Sequence, residues 1–391
     1  MKQGWEIKKL GEVCENVSNI NWKTISLDTK LPYIDLSAVD RDNSNIDDFE
    51  YINKDNAPSR AKQIVNTGDV IFATTRPLLK RVCVITKSFN NAIASTGFCV
   101  LRPKGKVVSK WIYYILKSDS FYIYIEPLQK GISYPAVSDN EVKNFSISVP
   151  PLAEQEHIVA ELDLLSGIIE KQKQQLKEYD TLAQSIFYTM FGDPITNEKG
   201  WEVLAIDNVC SSIVRGPFGS ALKKDFFVEP SNDTYKVYEQ KHAIQKNATI
   251  GTYYISRDMF KALSRFEVKN GDIIMSCSGT IGEFYEIPNG AETGIMNQAL
   301  LKFTLNSLIH KSYFLYTMEW VKENFEKKGS GLQNIGSVKT IKETSISVPP
   351  LTLQQEFAAK IEAIEKQKEL VKQSLAETET LFNSRMDYYF N

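Results

Sequence analysis

Residues 145–152 read FSISVPPL and residues 344–351 read TSISVPPL, so seven consecutive residues recur 199 positions later in the same chain. A second phrase, Gly-Trp-Glu, occurs at residues 4–6 and again at residues 200–202. Solenoid repeats have periods of a few tens of residues, whereas a period of about 200 residues indicates that whole domains are duplicated. The chain is therefore predicted to contain two copies of one domain.

Between these repeated phrases, GDVIFATT at residues 68–75 is similar to GDIIMSCS at residues 271–278. In both copies a Gly-Asp pair precedes a short apolar run, a pattern that predicts a strand. The duplicated domain is therefore expected to contain a sheet, with these two strands in corresponding positions.

Each copy of SISVPPL is followed by about 40 residues that lack proline, almost lack glycine and are rich in Glu, Lys, Gln and Leu, which predicts one long helix. The Pro-Pro pairs at residues 150–151 and 349–350 mark where each helix begins, because proline cannot continue a helix from the preceding strand. The 4-3 spaced positions of the first helix are Ile158, Leu162, Leu165, Ile169, Gln172, Leu176, Tyr179, Ala183, Ile186 and Met190. Those of the second are Phe357, Ile361, Ile364, Lys368, Val371, Leu375, Thr378, Phe382, Arg385 and Tyr389.

A largely apolar seam of period 3.5 sustained over about five heptads predicts a coiled coil. The alternative is that each helix packs only on its own domain. A helix of about 38 residues would be roughly 57 Å long, longer than the domain it follows, which favours pairing of the two helices. If they pair antiparallel, the two domains lie at opposite ends and are related by an approximate two-fold axis.

The predicted fold is α+β, with two similar globular domains joined by two long antiparallel helices. The predicted boundaries are 1–149 for the first domain, 150–191 for the central helix, 192–348 for the second domain and 349–391 for the C-terminal helix. A length of 391 residues fits two or three domains.

Composition is that of an ordinary globular chain, with 42% hydrophobic and 24% charged residues. No apolar run reaches the roughly 18 residues of a membrane span, and the N-terminal residues lack the apolar stretch of a signal peptide, so we expect a cytoplasmic protein without membrane contact. The five cysteines form no CxxC pair, which argues against a disulfide framework or a zinc site.

The formal net charge of -2 hides an uneven distribution. Residues 1–150 contain 20 Lys and Arg against 16 Asp and Glu, whereas residues 151–191 contain 3 against 7. Residues 192–345 balance at 18 against 18, and residues 346–391 contain 5 against 7. The globular domains are thus neutral to basic and the helices acidic, which permits contact of the domains with nucleic acid without requiring it.

Motifs of catalysis are absent from the sequence: it contains no GxxxxGK[ST] phosphate loop, no HExxH and no GxSxG. The Gly-rich segments RGPFGS (215–220) and SGTIGE (278–283) are weak phosphate-binding signals on their own. His157, His242 and His310 lack a nucleophile or carboxylate pattern around them, so packing or surface roles are expected. We therefore predict a chain without catalytic residues, without a metal and without a cofactor of its own.

The ordered combination of phrases resembles the specificity subunit of type I restriction-modification systems, and the resemblance covers essentially the whole chain. It is carried by PPLxxQ at both helix starts (with Gln155 and Gln354), by GWEIKKLGEV and GWEVLAIDNV, by the Gly-Asp strands, by RGPFGSALKKDF (215–226) and by FGDP (191–194). One departure is Leu353, where the first copy and the family pattern have Glu (Glu154), which removes a capping carboxylate.

The resemblance implies that each globular part is a target recognition domain that reads one half of a split, asymmetric DNA site, with the paired helices as spacer. It also implies two modification subunits, which use S-adenosylmethionine to methylate an adenine in each half-site, and, for restriction, two motor-nuclease subunits that require ATP and magnesium. Reading faces on one side of the duplex should lie about one helical turn apart, roughly 34 Å. Together with this geometry, the resemblance implies half-sites of about three to five base pairs separated by about five to eight unspecified ones.

Candidate DNA-contacting residues come from the side-chain types that read bases and phosphates. In the first domain they are Thr74, Thr75, Arg76, Lys80 and Arg81 after the Gly-Asp strand, and Ser133 and Tyr134 in the segment KGISYPAVS. Arg76 is the predicted base reader, and Lys80 or Arg81 the predicted phosphate contact. In the second domain they are Ser276 and Ser278 in the equivalent loop, Gln333 and Asn334 in KGSGLQNIGS, and the basic residues Arg215, Lys223 and Lys224.

A different class of function stays open at this stage, namely a coiled-coil adaptor that binds only proteins. A stand-alone nuclease or methyltransferase is disfavoured by the missing motifs. The dependence of duplex DNA binding on salt separates the first two classes, because phosphate contacts give a steep slope.

Overall fold

The computed structural model describes residues 4–218, 221–325, 327–328 and 334–391. The chain divides into two compact units: one contains the residues up to Gln175 together with Val371–Asn391, and the other contains Leu176–Leu370. None of the helices in the described ranges combines the length and apolar character that a membrane crossing requires.

The first unit contains ten strands and three short helices before its long helix, within the residues described. The strands are β1 (Glu6–Lys9), β2 (Cys14–Glu15), β3 (Leu31–Ile34), β4 (Glu50–Ile52), β5 (Ala61–Val65), β6 (Val70–Ala73), β7 (Val82–Val84), β8 (Ala92–Ser95), β9 (Phe98–Pro103) and β10 (Ser146–Val149). The helices are α1 (Ser109–Lys117), α2 (Asp119–Ile125), α3 (Asp139–Lys143) and the long α4 (Leu152–Phe191), which continues into the second unit.

These strands form two four-stranded sheets and one two-stranded ribbon. One sheet has the order β2-β9-β6-β7, and the other has the order β4-β3-β8-β5 with β3 parallel to β8. The ribbon pairs β1 with β10, so that Glu6 lies opposite Val149 just before the Pro-Pro pair. The predicted Gly-Asp strand is β6, and its four residues are all buried, as expected of a short, continuous apolar run.

The second unit repeats the main strands and the long helix of the first and, within the described residues, has further short strands and helices. Its strands are β11 (Glu202–Ala205), β12 (Cys210–Arg215), β13 (Thr234–Tyr238), β14 (Tyr254–Ser256), β15 (Glu267–Val268), β16 (Ile273–Ser276), β17 (Phe284–Glu286), β18 (Gly294–Met296), β19 (Leu300–Leu305), β20 (Lys327–Lys328), β21 (Asn334–Ile335) and β22 (Ser345–Val348). Its helices are α5 (Ile206–Val209), α6 (Gln240–Ile244), α7 (Arg257–Ala262), α8 (Lys311–Val321), α9 (Val338–Glu343) and the long α10 (Leu351–Phe390), which ends in the first unit.

Two four-stranded sheets and one ribbon of the second unit have the same topology as those of the first, and β20 pairs with β21 in a further ribbon. The sheet orders are β12-β19-β16-β17 and β14-β13-β18-β15, with β13 parallel to β18, and β11 pairs with β22. The strand orders of the two four-stranded sheets match one to one, including the one parallel pair described in each unit, which confirms the duplication and the α+β class predicted from the repeated phrases.

The Gly-Asp pair that precedes β6 forms a turn and a buried ion pair. Gly68 has φ +91°, which favours glycine, and the fully buried Asp69 accepts hydrogen bonds from Arg102 at 2.8 Å through both carboxylate oxygens. In the second copy, Asp272 lies 3.4 Å from the ammonium group of Lys302. The repeated phrase is thus explained by a carboxylate that joins the leading end of one strand to its neighbour in the sheet.

The two long helices run antiparallel within each unit, which confirms the predicted pairing. In the first unit, ion pairs join Glu161 to Arg385 and Lys173 to Glu379, both at 2.8 Å. In the second unit, the ammonium group of Lys368 lies 2.7 Å from the carboxylate of Asp180. Partner positions rise along α4 as they fall along α10, as an antiparallel pair requires.

Both helices also pack on the globular parts, so pairing and domain packing occur together. In the first unit, Ile158 and Leu162 of α4 and Met386 of α10 belong to one buried core with the helices and sheet of that unit. In the second unit, Phe187 of α4 and Phe357 of α10 are fully buried, with ring centroids 5.6 Å apart. Each unit therefore uses a segment of both helices to complete its core.

The glutamine of PPLxxQ attaches each helix to its domain. Gln155 is fully buried; its side-chain oxygen accepts from the N–H of Val108 at 3.0 Å, and its amide nitrogen donates to the carbonyls of Lys106 and Pro150 at 3.0 and 2.8 Å. Gln354 makes the corresponding three bonds in the second unit, to the N–H of His310 and to the carbonyls of Leu308 and Pro349. The motif thus satisfies buried backbone groups at both helix starts.

Candidate nucleic-acid interface

The loop that follows β6 has a tightly specified backbone. Thr74 is buried, and its hydroxyl donates to the carbonyl of Gly97 at 2.8 Å, while Thr75 forms an isolated bridge with Ala136. Arg76 and Lys80 have φ of +51° and +55°, values that non-glycine residues adopt rarely and that cost about 1 kcal/mol or more each. Thr74 and Thr75 therefore position the loop, and among the polar candidates in it Arg76 and Lys80 have exposed side chains, as do the neighbouring Leu78 and Leu79.

Two candidate segments that are far apart in sequence meet in one surface of the first unit. The N–H of Arg76 donates to the carbonyl of Pro135 at 2.7 Å, and its guanidinium lies 3.4 Å from the carbonyl of Ser133. The guanidinium also lies over the ring of Tyr134, 4.5 Å from its centroid, and Tyr134 is 68% exposed. Arg76, Ser133 and Tyr134 thus form one accessible cluster, which we call the first-unit cluster.

The two predicted phosphate contacts differ in their surroundings. Lys80 is exposed, with its ammonium group 4.5 Å from the centroid of the Tyr122 ring and 3.8 Å from the carboxylate of Asp119. Arg81 is half-buried, and its guanidinium donates to the carbonyl of Leu36. Of the two, Lys80 is the one placed to reach a phosphate, whereas Arg81 fastens the loop to the chain around Leu36.

In the second unit the two serine candidates of the equivalent loop are engaged in hydrogen bonds within the protein. Ser276 is fully buried; its hydroxyl donates to the carbonyl of Thr280 at 2.6 Å and accepts from the N–H of Glu283 at 3.1 Å, so it holds the turn and is removed from the candidate contacts. The hydroxyl of Ser278 donates to the side-chain oxygen of Asn334, and the two residues also form a backbone bridge. Gln333, the remaining candidate of this pair of segments, lies outside the described residues.

The basic candidates of the second unit are Arg215 at the end of β12 and two lysines in the segment that follows it. The guanidinium of Arg215 lies 5.8 Å from the centroid of the Phe218 ring, and Phe218 is 74% exposed. Between them, Gly216 packs so closely that a Cβ atom would lie 1.8 Å from the carbonyl oxygen of Asn297, so only glycine fits. Lys223 and Lys224 are also exposed. Arg215 and Phe218 form the second-unit pair.

Sequence reasoning missed two apolar members of these surfaces, Phe218 and Ile132. Phe218 lies in a phrase that was identified for its glycines, its basic residues and its family likeness, and Ile132 lies beside the candidates Ser133 and Tyr134. Both are large apolar residues in otherwise polar, glycine-containing loops, which is the sequence signal that could have identified them.

Away from these surfaces, His242 and the cysteines are packed in the interior of the protein. His242 is fully buried between Glu239 and the carbonyl of Ile250, and burial lowers its pKa. The five cysteines are buried, and burial raises the pKa of Cys277 to about 12. In the part of the chain that the structure describes, no group of three or more His, Cys, Asp and Glu side chains is arranged to hold a metal ion. The accessible groups suit binding of a polyanion and of base edges.

Comparison with known proteins gives a consistent result. The model of the type I restriction modification DNA specificity domain matches residues 2–178 and again residues 198–380. The type I restriction enzyme MjaIX specificity subunit of Methanocaldococcus jannaschii is 23% identical over 70% of this chain and 66% of its own length, slightly under two thirds. The putative type I restriction enzyme MjaX specificity subunit of the same organism is 20% identical over 93% of this chain and 87% of that protein.

The fold has a solved counterpart. A chain from a structure describing assembly and conformational transition of the type I R-M system is 24% identical, covers 100% of this chain and 98% of its own length, and superposes with a TM-score of 0.62. At this identity the likeness supports the fold. Because the family's domain matches twice and together these matches span most of the sequence, the chain belongs to the type I restriction modification DNA specificity family.

Proposed function

We propose that this chain is the sequence-recognition subunit of a type I restriction-modification complex and that each unit reads one half of a bipartite DNA site. The observation that carries this proposal is the presence of two specificity domains in one chain. In each unit an arginine lies over an exposed aromatic ring, which is a surface suited to base edges and base faces.

The two half-sites differ in sequence under this proposal. Counted from the Gly-Asp pairs, the position in the second copy that corresponds to Arg76 is Gly279. The second-unit pair instead consists of the last residue of β12 and a residue of the segment that follows it, away from the loop after the Gly-Asp strand. Since base discrimination depends on which side chain reaches the groove, two units with different exposed side chains are expected to read different bases.

The proposal extends to partners and cofactors. Two modification subunits would use S-adenosylmethionine to methylate an adenine in each half-site, and two motor-nuclease subunits with ATP and magnesium would complete a restriction enzyme. In this arrangement the chain positions the other subunits and performs no chemistry itself. A cytoplasmic location belongs to the same proposal, because the complex acts on the DNA of its host.

Binding of the assembled chain and modification subunit to duplex DNA tests this function. We expect the logarithm of the binding constant to fall linearly with the logarithm of salt concentration, with a slope of about −0.9 per phosphate contacted. We also expect a preference for a cognate site over random duplex. A flat salt slope together with no sequence preference would support the alternative, a coiled-coil adaptor that binds only proteins.

A further inference from the structure

Residues 130–136 form a short hairpin beside the first-unit cluster, and its ends are fixed. The N–H of Lys130 donates to the carbonyl of Ala136 at 2.9 Å, and the N–H of Ala136 donates back at 2.9 Å. Gly131 has φ +99°, and a Cβ atom there would lie 3.1 Å from the carbonyl oxygen of Tyr134. The turn therefore requires glycine at this position, and the backbone of the tip is closely constrained.

The outgoing end of the hairpin is anchored by a carboxylate. The N–H and hydroxyl of Ser138 both donate to Glu141, at 2.6 and 2.8 Å, and Lys130 lies 3.2 Å from the same side chain. These hydrogen bonds and the neighbouring ammonium group lower the pKa of Glu141 to about 2. The carboxylate is thus ionised at neutral pH, and the two ends of the hairpin are joined through one side chain.

Ile132 projects from this tip with 102% of its reference surface exposed, so its side chain contributes nothing to the core. Single exposed apolar residues are common on protein surfaces. Ile132 differs because it lies on a constrained turn, next to Ser133 and Tyr134, and the guanidinium of Arg76 covers the Tyr134 ring. An apolar side chain is therefore presented beside the groups that we propose to face the bases.

We propose that Ile132 contacts the C5 methyl group of a thymine in the major groove of the first half-site, an inference that rests on the proposed function. The methyl group distinguishes thymine in that groove and is read by apolar side chains. A β-branched side chain has few χ1 rotamers, and the tip backbone is already ordered, so the contact loses little conformational entropy. Arg76, next to it, would read the acceptors of a neighbouring base.

Replacement of thymine by uracil tests the contact, because it removes only the methyl group. In the complex with the modification subunit, each thymine on both strands of the first half-site is replaced in turn, and dissociation constants are measured. The wild-type chain should lose about fourfold in affinity at one position, the value for returning one methyl group to water. Ile132→Ala should bind thymine DNA more weakly by a similar factor and show no further loss with uracil at that position.

Ile123 provides the matched control, because it is the same residue type in the same unit and is 73% exposed on α2. Ile123→Ala should retain the affinity and the full uracil effect of the wild-type chain. An Ile132→Ala chain that retains the same uracil effect as wild type would overturn the inference, as would a first half-site without an A·T pair. If the wild-type complex shows no preference for any sequence, the proposed function itself fails, and that result is distinguishable from either of these.

Discussion

Replacing Gln155 by alanine removes three hydrogen bonds that join the start of α4 to the domain before it. The N–H of Val108 and the carbonyls of Lys106 and Pro150 lose their partner. Gln155 is fully buried, its bond to Pro150 is buried and its other two bonds are partly buried, so the three backbone groups have restricted access to water. At about 1 kcal/mol for each orphaned group, we expect Gln155→Ala to lower the free energy of unfolding of the first unit by about 3 kcal/mol.

Urea denaturation gives the free energy, and hydrogen exchange resolved along the chain shows where protection is lost, which should include the N–H of Val108. Gln175 lies on the same helix and is exposed, so Gln175→Ala is the control and should change stability by no more than about 0.5 kcal/mol. Gln354→Ala should reproduce the effect in the second unit. The reasoning is refuted if Gln155→Ala costs no more than Gln175→Ala.

Further predictions concern the DNA contacts, the loop that Arg81 fastens, the sheet and the spacer. Arg76→Ala should weaken cognate binding about 10- to 100-fold in competition assays and leave binding to random duplex nearly unchanged. Lys80→Ala should reduce the salt slope by about one, whereas Arg81→Ala should lower the melting temperature because Arg81 donates to a backbone carbonyl. Asp69→Asn should lower the free energy of unfolding by about 3 kcal/mol in urea, because a buried ion pair is broken. Inserting four residues, about one turn, after Gln172 should lengthen the spacer found by methylome sequencing and leave both half-sites unchanged.

Each of these has a contrary result. If Arg76→Ala loses the same affinity for cognate and for random DNA, Arg76 does not read a base. If Lys80→Ala leaves the salt slope unchanged, Lys80 does not contact a phosphate. A full melting temperature in Arg81→Ala would contradict its structural role. Asp55 is exposed, and Asp55→Asn should be neutral; if Asp69→Asn is equally neutral, the ion pair does not stabilise the sheet. A spacer of unchanged length would contradict the role of the helices.

The repeated phrases allowed the fold to be predicted because they contain residues that the backbone requires for its hydrogen bonds and its turns. Gln155 and Gln354 bond buried backbone groups, and Gly68 adopts a left-handed turn. These requirements are local, so the same residue types occur in both copies and the period is visible. The helix starts, the Gly-Asp strands and the antiparallel pairing could therefore be predicted without coordinates.

The candidate surfaces could be predicted only in part, because their geometry depends on contacts between distant segments. Arg76 and Tyr134 come together only when two loops bridge across Thr75 and Ala136. Polarity alone also failed to distinguish accessible side chains from those that are buried and hydrogen-bonded within the fold. Ser276 is polar but fully buried, and it closes a turn. The contact residues themselves stay a prediction until a complex with DNA is measured.

Two copies of one fold with different exposed loops lead to one central claim: the chain recognises a DNA site that consists of two different parts. Methylome sequencing of a host that expresses the chain with its modification subunit tests this claim most directly. The predicted result is one motif with two different defined blocks of about three to five base pairs, separated by about five to eight unspecified ones, and one modified adenine in each block. Modification that does not depend on this chain, or a single uninterrupted motif, would contradict the account.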